Sequence, residues 1–213
     1  MPRLGIMLVL LFITLTAPGC ASLPKIRILH DPLTAQEHLT LGVSYESQEK
    51  LDLAISEYEA AFKKGSKETE VTALVYLGNA HAQRRDFRQA AKYYRKALAK
   101  DTQNVQALNN LAWVYLQQGI KLMEAEAMVR QALDQAPSGD PNRPGYLDTL
   151  AEILIAQGQF SEALNVLNEA ESLADQKDSV LLSHIYEHKA RAYDALGQTE
   201  KAHNAHQRAK ALQ

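Results

Sequence analysis

Two sets of side chains in this chain could do chemistry. His184, Glu187 and His188 form an H-x-x-E-H string, and residues four apart on a helix share a face. Two imidazoles so placed can ligate zinc, with the glutamate as general base towards a metal-bound water. Spacing fixes no third ligand, since His203, His206 and Glu200 are merely nearby in sequence. Cys20 is the only cysteine, so no internal disulfide forms. The chain has no glycine-rich phosphate loop, no G-x-S-x-G and no paired C-x-x-C. The expectation is a non-enzymatic chain with no catalytic residue, cofactor or resident metal, in which His184 and His188 are packing and surface residues.

The setting of Cys20 gives it another chemistry. Arg3 supplies a positive start, and residues 4–15 are a nearly continuous apolar run. That run is too short for a comfortable membrane span and reads as a secretory signal. Ala17-Pro18-Gly19 leads into the cysteine. This resembles the lipobox of bacterial lipoproteins, although leucine is commoner than Ala17 and Pro18 is unusual there. The resemblance implies alkylation of the Cys20 thiol by a diacylglyceryl group, cleavage just before it, and often acylation of the new amine. Two or more acyl chains hold a protein stably, each buried methylene being worth roughly 0.8 kcal/mol. Residues 1–19 are then the signal peptide and residues 20–33 a lipidated tether, with Pro24 and Pro32 flanking Lys25, Arg27 and His30. Ala21, rather than Asp, follows the cysteine. By the proteobacterial sorting rules that favours the outer membrane, facing the periplasm. The alternatives are a simple cleaved secretory signal and an uncleaved anchor.

The elements that position everything else begin after the tether. The chain has 213 residues, of which 46% are hydrophobic and 23% charged, enough to fold throughout. A formal net charge of −2 argues against a nucleic-acid surface. Gly and Pro are few, and no run alternates as a strand does. Residues 109–132 set the pattern. A first helix is built on Leu108, Leu111, Ala112 and Tyr115, a turn falls at Gly119, a second helix carries Ala125, Val129 and Ala132, and Pro137 closes the unit.

With the small residue after the first-helix leucine as anchor, five units align on Gly42, Gly78, Ala112, Ala151 and Ala190. Before the anchors stand Leu41, Leu77, Leu111, Leu150 and Lys189; three after them stand Tyr45, His81, Tyr115, Leu154 and Tyr193. The second helices carry Ala54, Ala90, Ala125, Ala163 and Ala202, and seven later Ala61, Ala97, Ala132, Ala170 and Ala209. Between them sit Tyr58, Tyr94, Val129, Leu167 and His206. Alanines belong where antiparallel helices cross closely, and larger residues fill the layer between units, which cannot bury their apolar faces alone.

The pattern resembles the tetratricopeptide repeat (TPR). It implies an all-α fold, a right-handed superhelix of about five helix–turn–helix repeats over residues 34–213. The repeats fall at about 35–68, 71–104, 105–138, 144–177 and 183–213. Repeat 3 has one extra residue in its turn, residues 137–144 form a proline-rich loop, and extra residues occur around 175–178. Repeat 5 has Lys189 in place of leucine and no separate capping helix, but its polar second helix can serve as the cap.

In a TPR superhelix the first helices line an inner groove. The register assigns to it Leu39, Val43 and Glu46, then Val75, Asn79 and Ala82, then Asn109, Trp113 and Leu116. Repeat 4 adds Asp148, Glu152 and Ile155, and repeat 5 adds Glu187, Arg191 and Asp194, with Asn110 bordering the same surface. The groove runs from apolar, through amide and indole, to acidic. Trp113, the only tryptophan, is an anchor candidate for a partner side chain. Asn79, Asn109 and Asn110 can both donate to and accept from a peptide backbone. Asp148, Glu152 and Arg191 complete the candidate set. The clamp by which some TPRs grip a terminal carboxylate needs Lys and Arg where this chain has Leu39, Val43, Asp148 and Glu152, so that activity is disfavoured.

The expected function is a lipid-anchored scaffold binding an envelope protein or peptide, as TPR lipoproteins of pilus, secretion and cell-wall enzyme assembly do. A narrower resemblance lies in Asp31-Pro32-Leu33-Thr34 and in Tyr146-Leu147-Asp148-Thr149-Leu150. They look like the TPR half of lipoproteins that also carry a papain-like cysteine peptidase, which implies a helper of such a peptidase. A tether between membrane and peptidoglycan is a third reading. TPR edges often dimerise, so a homodimer is open to the chain, though no feature compels it.

Overall fold

The computed structural model describes residues 31–213; the signal, Cys20 and most of the tether lie outside them. Ten helices occur among the described residues, α1 Ala35–Glu46, α2 Leu51–Lys64, α3 Lys67–Gln83, α4 Phe87–Lys100, α5 Val105–Gln117, α6 Leu122–Gln135, α7 Arg143–Ala156, α8 Phe160–Leu173, α9 Ser179–Ala195 and α10 Thr199–Ala211. They pair as five hairpins. Each first helix packs on its own second helix and on the second helix before it, and consecutive first helices also touch. Second helices do not touch one another, so the outer surface carries clefts and the inner surface a continuous wall of first helices. None of these helices is long and apolar enough to cross a membrane.

Local sequence sets the ends. Thr34 caps α1, accepting from the Glu37 amide at 3.2 Å while Glu37 accepts from the Thr34 amide at 2.7 Å. Asp86, Asn104 and Asp178 cap α4, α5 and α9 with their side chains. All five hairpin turns are built alike. Glu49, Arg85, Gly119, Gly158 and Gly197, each seven after its anchor, have positive φ. The next amide, of Lys50, Asp86, Ile120, Gln159 or Gln198, donates back to Tyr45, His81, Tyr115, Leu154 or Tyr193 at 2.8–3.0 Å. That bond closes the Schellman turn ending each first helix. The extra residue of repeat 3 is absorbed at Lys121, which takes a second positive φ of 53°.

Nine of the ten crossing alanines are 0–1% exposed, and Ala209 in the terminal helix is 3%. Two departures from the sequence reading concern helix starts. Pro144, assigned above to the loop, is buried in the first turn of α7, where its missing N–H costs nothing and its fixed φ suits a helix. The spacing puts repeats 2 and 5 at 71 and 183, yet α3 and α9 begin at Lys67 and Ser179, an extra turn each.

Candidate protein-binding groove

The inner wall presents two rows of side chains. Residues one after the anchors, Val43, Asn79, Trp113, Glu152 and Arg191, and residues two before them, Thr40, Tyr76, Asn110, Thr149 and His188, line its recesses. Val75 and Ile155, placed in the groove by the sequence reading, are instead buried. Both belong to the hydrophobic core packed between the helices. Asn109 is buried as well. It faces a separate cleft with Pro141, Asn142 and Tyr146, and its Oδ1 has no hydrogen-bond partner.

The first recess, about 320 Å³, is lined by Glu46, Asn79, Gln83, Tyr94, Asn110 and Trp113. Asn79 Oδ1 accepts from the Tyr94 hydroxyl at 2.8 Å and from Asn110 Nδ2 at 2.9 Å. Asn110 Oδ1 accepts in turn from Asn109 Nδ2 at 3.2 Å. Burial pushes the Tyr94 phenol well above its ordinary pKa, so it remains a donor. The chain of bonds fixes the amides and leaves Asn79 Nδ2 free to donate into the groove. One repeat earlier, the Tyr58 hydroxyl donates to Glu46, and Gln83 donates to the same carboxylate.

The second recess, about 390 Å³, is lined by Trp113, Asp148, Glu152, His184, His188 and Arg191 among others. Trp113 is half-buried and stands edge-on to Phe87, with ring centroids 5.8 Å apart at 77°. It forms the partition between the two recesses. His188 Nδ1 lies 2.7 Å from Asp148 Oδ1, and its Nε2 is 3.9 Å from Glu152, which Arg191 approaches at 3.8 Å. Burial works against a charge on His188, but the Asp148 hydrogen bond and the Asp148 and Glu152 charges outweigh it and raise its pKa. The groove's acidic end is thus largely paired within itself, which the sequence did not reveal.

The structure brings Asn79, Asn110, Trp113, Asp148, Glu152 and Arg191 onto the recesses of the inner wall, and Asn109 is buried facing a separate cleft. Sequence reasoning missed Tyr94, His184 and His188 as groove residues. The signal for His188 was present, because it holds the register position of Asn110. Among the described residues no group of three or more His, Cys, Asp or Glu side chains is arranged to hold a metal ion.

The chain matches the tetratricopeptide repeat family over residues 39–86 and 75–141. No curated protein matches the sequence. Solved structures are similar. BtubC (BKLC) from P. vanneervenii is 18% identical, covers 83% of this chain and 78% of its own, and superposes with a TM-score of 0.70. MamA of AMB-1 is 19% identical, with coverage of 82% and 96% and a TM-score of 0.62. YrrB, described as a TPR protein with an unusual peptide-binding site, is 18% identical, with coverage of 84% and 86% and a TM-score of 0.59. Identities this low speak for the fold alone. The chain therefore carries tetratricopeptide repeats, and its fold is the TPR superhelix.

Proposed function

We propose that this chain is a non-catalytic scaffold that holds an extended segment of another envelope protein in its inner groove, and that a lipid on Cys20 anchors it. The observation that carries the groove reading is the place of Trp113. Its indole borders both the amide recess and the histidine–carboxylate recess, so one segment crossing it meets hydrogen-bonding, aromatic and charged surfaces in turn. Buried aromatic anchors flanked by polar groups carry most of the binding energy at protein interfaces. A peptide-binding site in YrrB, a chain of the same fold, supports the reading.

The test is a pull-down from envelope extract with the full chain as bait, beside an Asn79→Ala, Trp113→Ala variant. A protein held by the wild type and lost by the variant supports the groove, and its identity names the pathway. Equal retention by both moves binding off the groove. The anchor is tested separately by palmitate labelling of the wild type and Cys20→Ser; equal labelling of both sinks it.

A further inference from the structure

The clefts between consecutive second helices repeat along the outer surface, each floored by the first helix between them. Three of them are filled by apolar side chains at fixed register positions. Phe62, Leu98 and Leu133 stand eight after the second-helix alanine, and the following repeats answer with Leu77, Leu111 and Leu150. Tyr93, Met128 and Val166, three after that alanine, pack against the core as well. The cleft between α8 and α10 departs at every one of these positions. Glu171 replaces the first set, Lys189 the second and Ala205 the third. Losing the side chain that fills the other clefts leaves a hollow of about 190 Å³, bordered by Glu171, Tyr186, Lys189, Tyr193, Lys201, Asn204 and Arg208.

Its charges do not cancel. Lys189 is buried and donates to Glu171, which neutralises that pair. The Arg208 guanidinium lies over the Tyr186 ring at 5.3 Å and donates to its hydroxyl at 3.1 Å, 3.6 Å from Glu171. Lys201 lies over the Tyr193 ring at 5.6 Å, bonds only Gln198, and has no carboxylate partner among the described residues. Lys201, Asn204 and Arg208 follow one face of α10, and Glu171 is the one carboxylate among the residues lining the hollow. With three cations against one carboxylate, the hollow carries two positive charges in excess. The other three clefts show that the fold needs neither the hollow nor the charge.

We propose that the cleft between α8 and α10 binds a phosphate-sized oxyanion, a phosphate monoester group held by Arg208, Lys201 and Asn204 with Lys189 behind it. Guanidinium and ammonium groups over aromatic rings match a tetrahedral dianion in charge and in donor number. The site lies on the outer surface, away from Trp113, and stands independently of the groove.

The test is calorimetric titration of the full chain with inorganic phosphate and with glycerol 3-phosphate, and sedimentation with vesicles of phosphatidylcholine with and without phosphatidic acid. Saturable one-to-one binding of the free anions is expected. It should weaken about tenfold in Arg208→Gln and in Lys201→Gln, vanish in Ala205→Tyr, which restores the side chain of repeat 2, and survive in Trp113→Ala. Retention on phosphatidic acid vesicles alone, lost in Ala205→Tyr, assigns the group to a lipid headgroup rather than a free ester. No binding in either format, or undiminished binding by a folded Ala205→Tyr chain, overturns the proposal.

Discussion

Tyr94 lies with its ring across Gly78, where an added Cβ would meet Tyr94 Cε1 at 2.3 Å. The same ring passes its hydroxyl to Asn79 in the groove. One pair thus joins the helix crossing to the candidate binding surface. Gly42 and Tyr58 repeat it, with a Cβ distance of 2.3 Å. Repeats 3 to 5 have alanine anchors and carry Val129, Leu167 and His206 in place of the tyrosine. Size is exchanged across the crossing, a small anchor against a large ring.

The exchange predicts coupled stabilities. Gly78→Ala alone should destabilise by about 1–3 kcal/mol, because the ring must leave a packed site. Adding Tyr94→Val, the pairing of repeat 3, should recover part of that loss. Urea denaturation of the two single variants and the double one measures the coupling. Additive losses would mean that the ring does not rest on the glycine.

The shared turn predicts a gain. Glu49 and Arg85 both have φ of 59° where three other repeats have glycine. A left-handed residue with a Cβ costs roughly 1–2 kcal/mol, less the extra entropy that glycine loses on folding. Glu49→Gly and Arg85→Gly should therefore each stabilise by about 0.5 kcal/mol or more. Thermal melts check this, and a fall in melting temperature would contradict it.

The repeat architecture was legible because its signal is dense. Ten alanines in fixed register mark the crossings, and the interhelix turns recur seven residues after each anchor. The groove was half legible. Position one after the anchor pointed to Asn79, Trp113, Glu152 and Arg191, which line the recesses of the inner wall. Position three before it pointed to Val75 and Asn109, which are buried, and to Asp148, which lines the second recess. Pairing was not legible at all, since nothing in the spacing of Asp148 and His188, 40 residues apart, says that they meet. For the H-x-x-E-H string, expected to be packing and surface residues, the spacing likewise did not say where its side chains turn. His188 turns to Asp148 and Glu152, while Glu187 accepts from Gln213 at 2.8 Å.

That meeting predicts a pH dependence. The pKa of His188 is raised in the folded chain, so the unfolded chain releases the proton first as pH rises. The stabilisation is fully present below the unfolded value, near 6.5, and is lost as pH rises through the folded value. His81 acts oppositely. It is stacked on Tyr93 at 5.2 Å, and burial lowers its pKa, so it costs stability as pH falls through the unfolded value. His188→Gln should flatten the acid side of the wild-type advantage, and Asp148→Asn should do the same. Melting temperatures from pH 5 to pH 9 decide, and an unchanged difference between wild type and His188→Gln across that range would remove the role.

The ion pair at the repeat 4–5 junction predicts the largest non-additivity. Glu171→Leu leaves the buried Lys189 ammonium without a counter-charge and should cost about 3 kcal/mol. Lys189→Leu should cost less, because Glu171 keeps Arg208 at 3.6 Å and the Tyr186 hydroxyl as donors. The double variant recreates the Leu133 and Leu150 pairing of the preceding junction. It should come within about 1 kcal/mol of the wild type or exceed it, since well-packed apolar side chains commonly match a buried ion pair. Chemical denaturation followed by circular dichroism gives all three values. A double variant as unstable as the sum of the singles would mean that Lys189 and Glu171 stabilise the last repeat independently, not through one another.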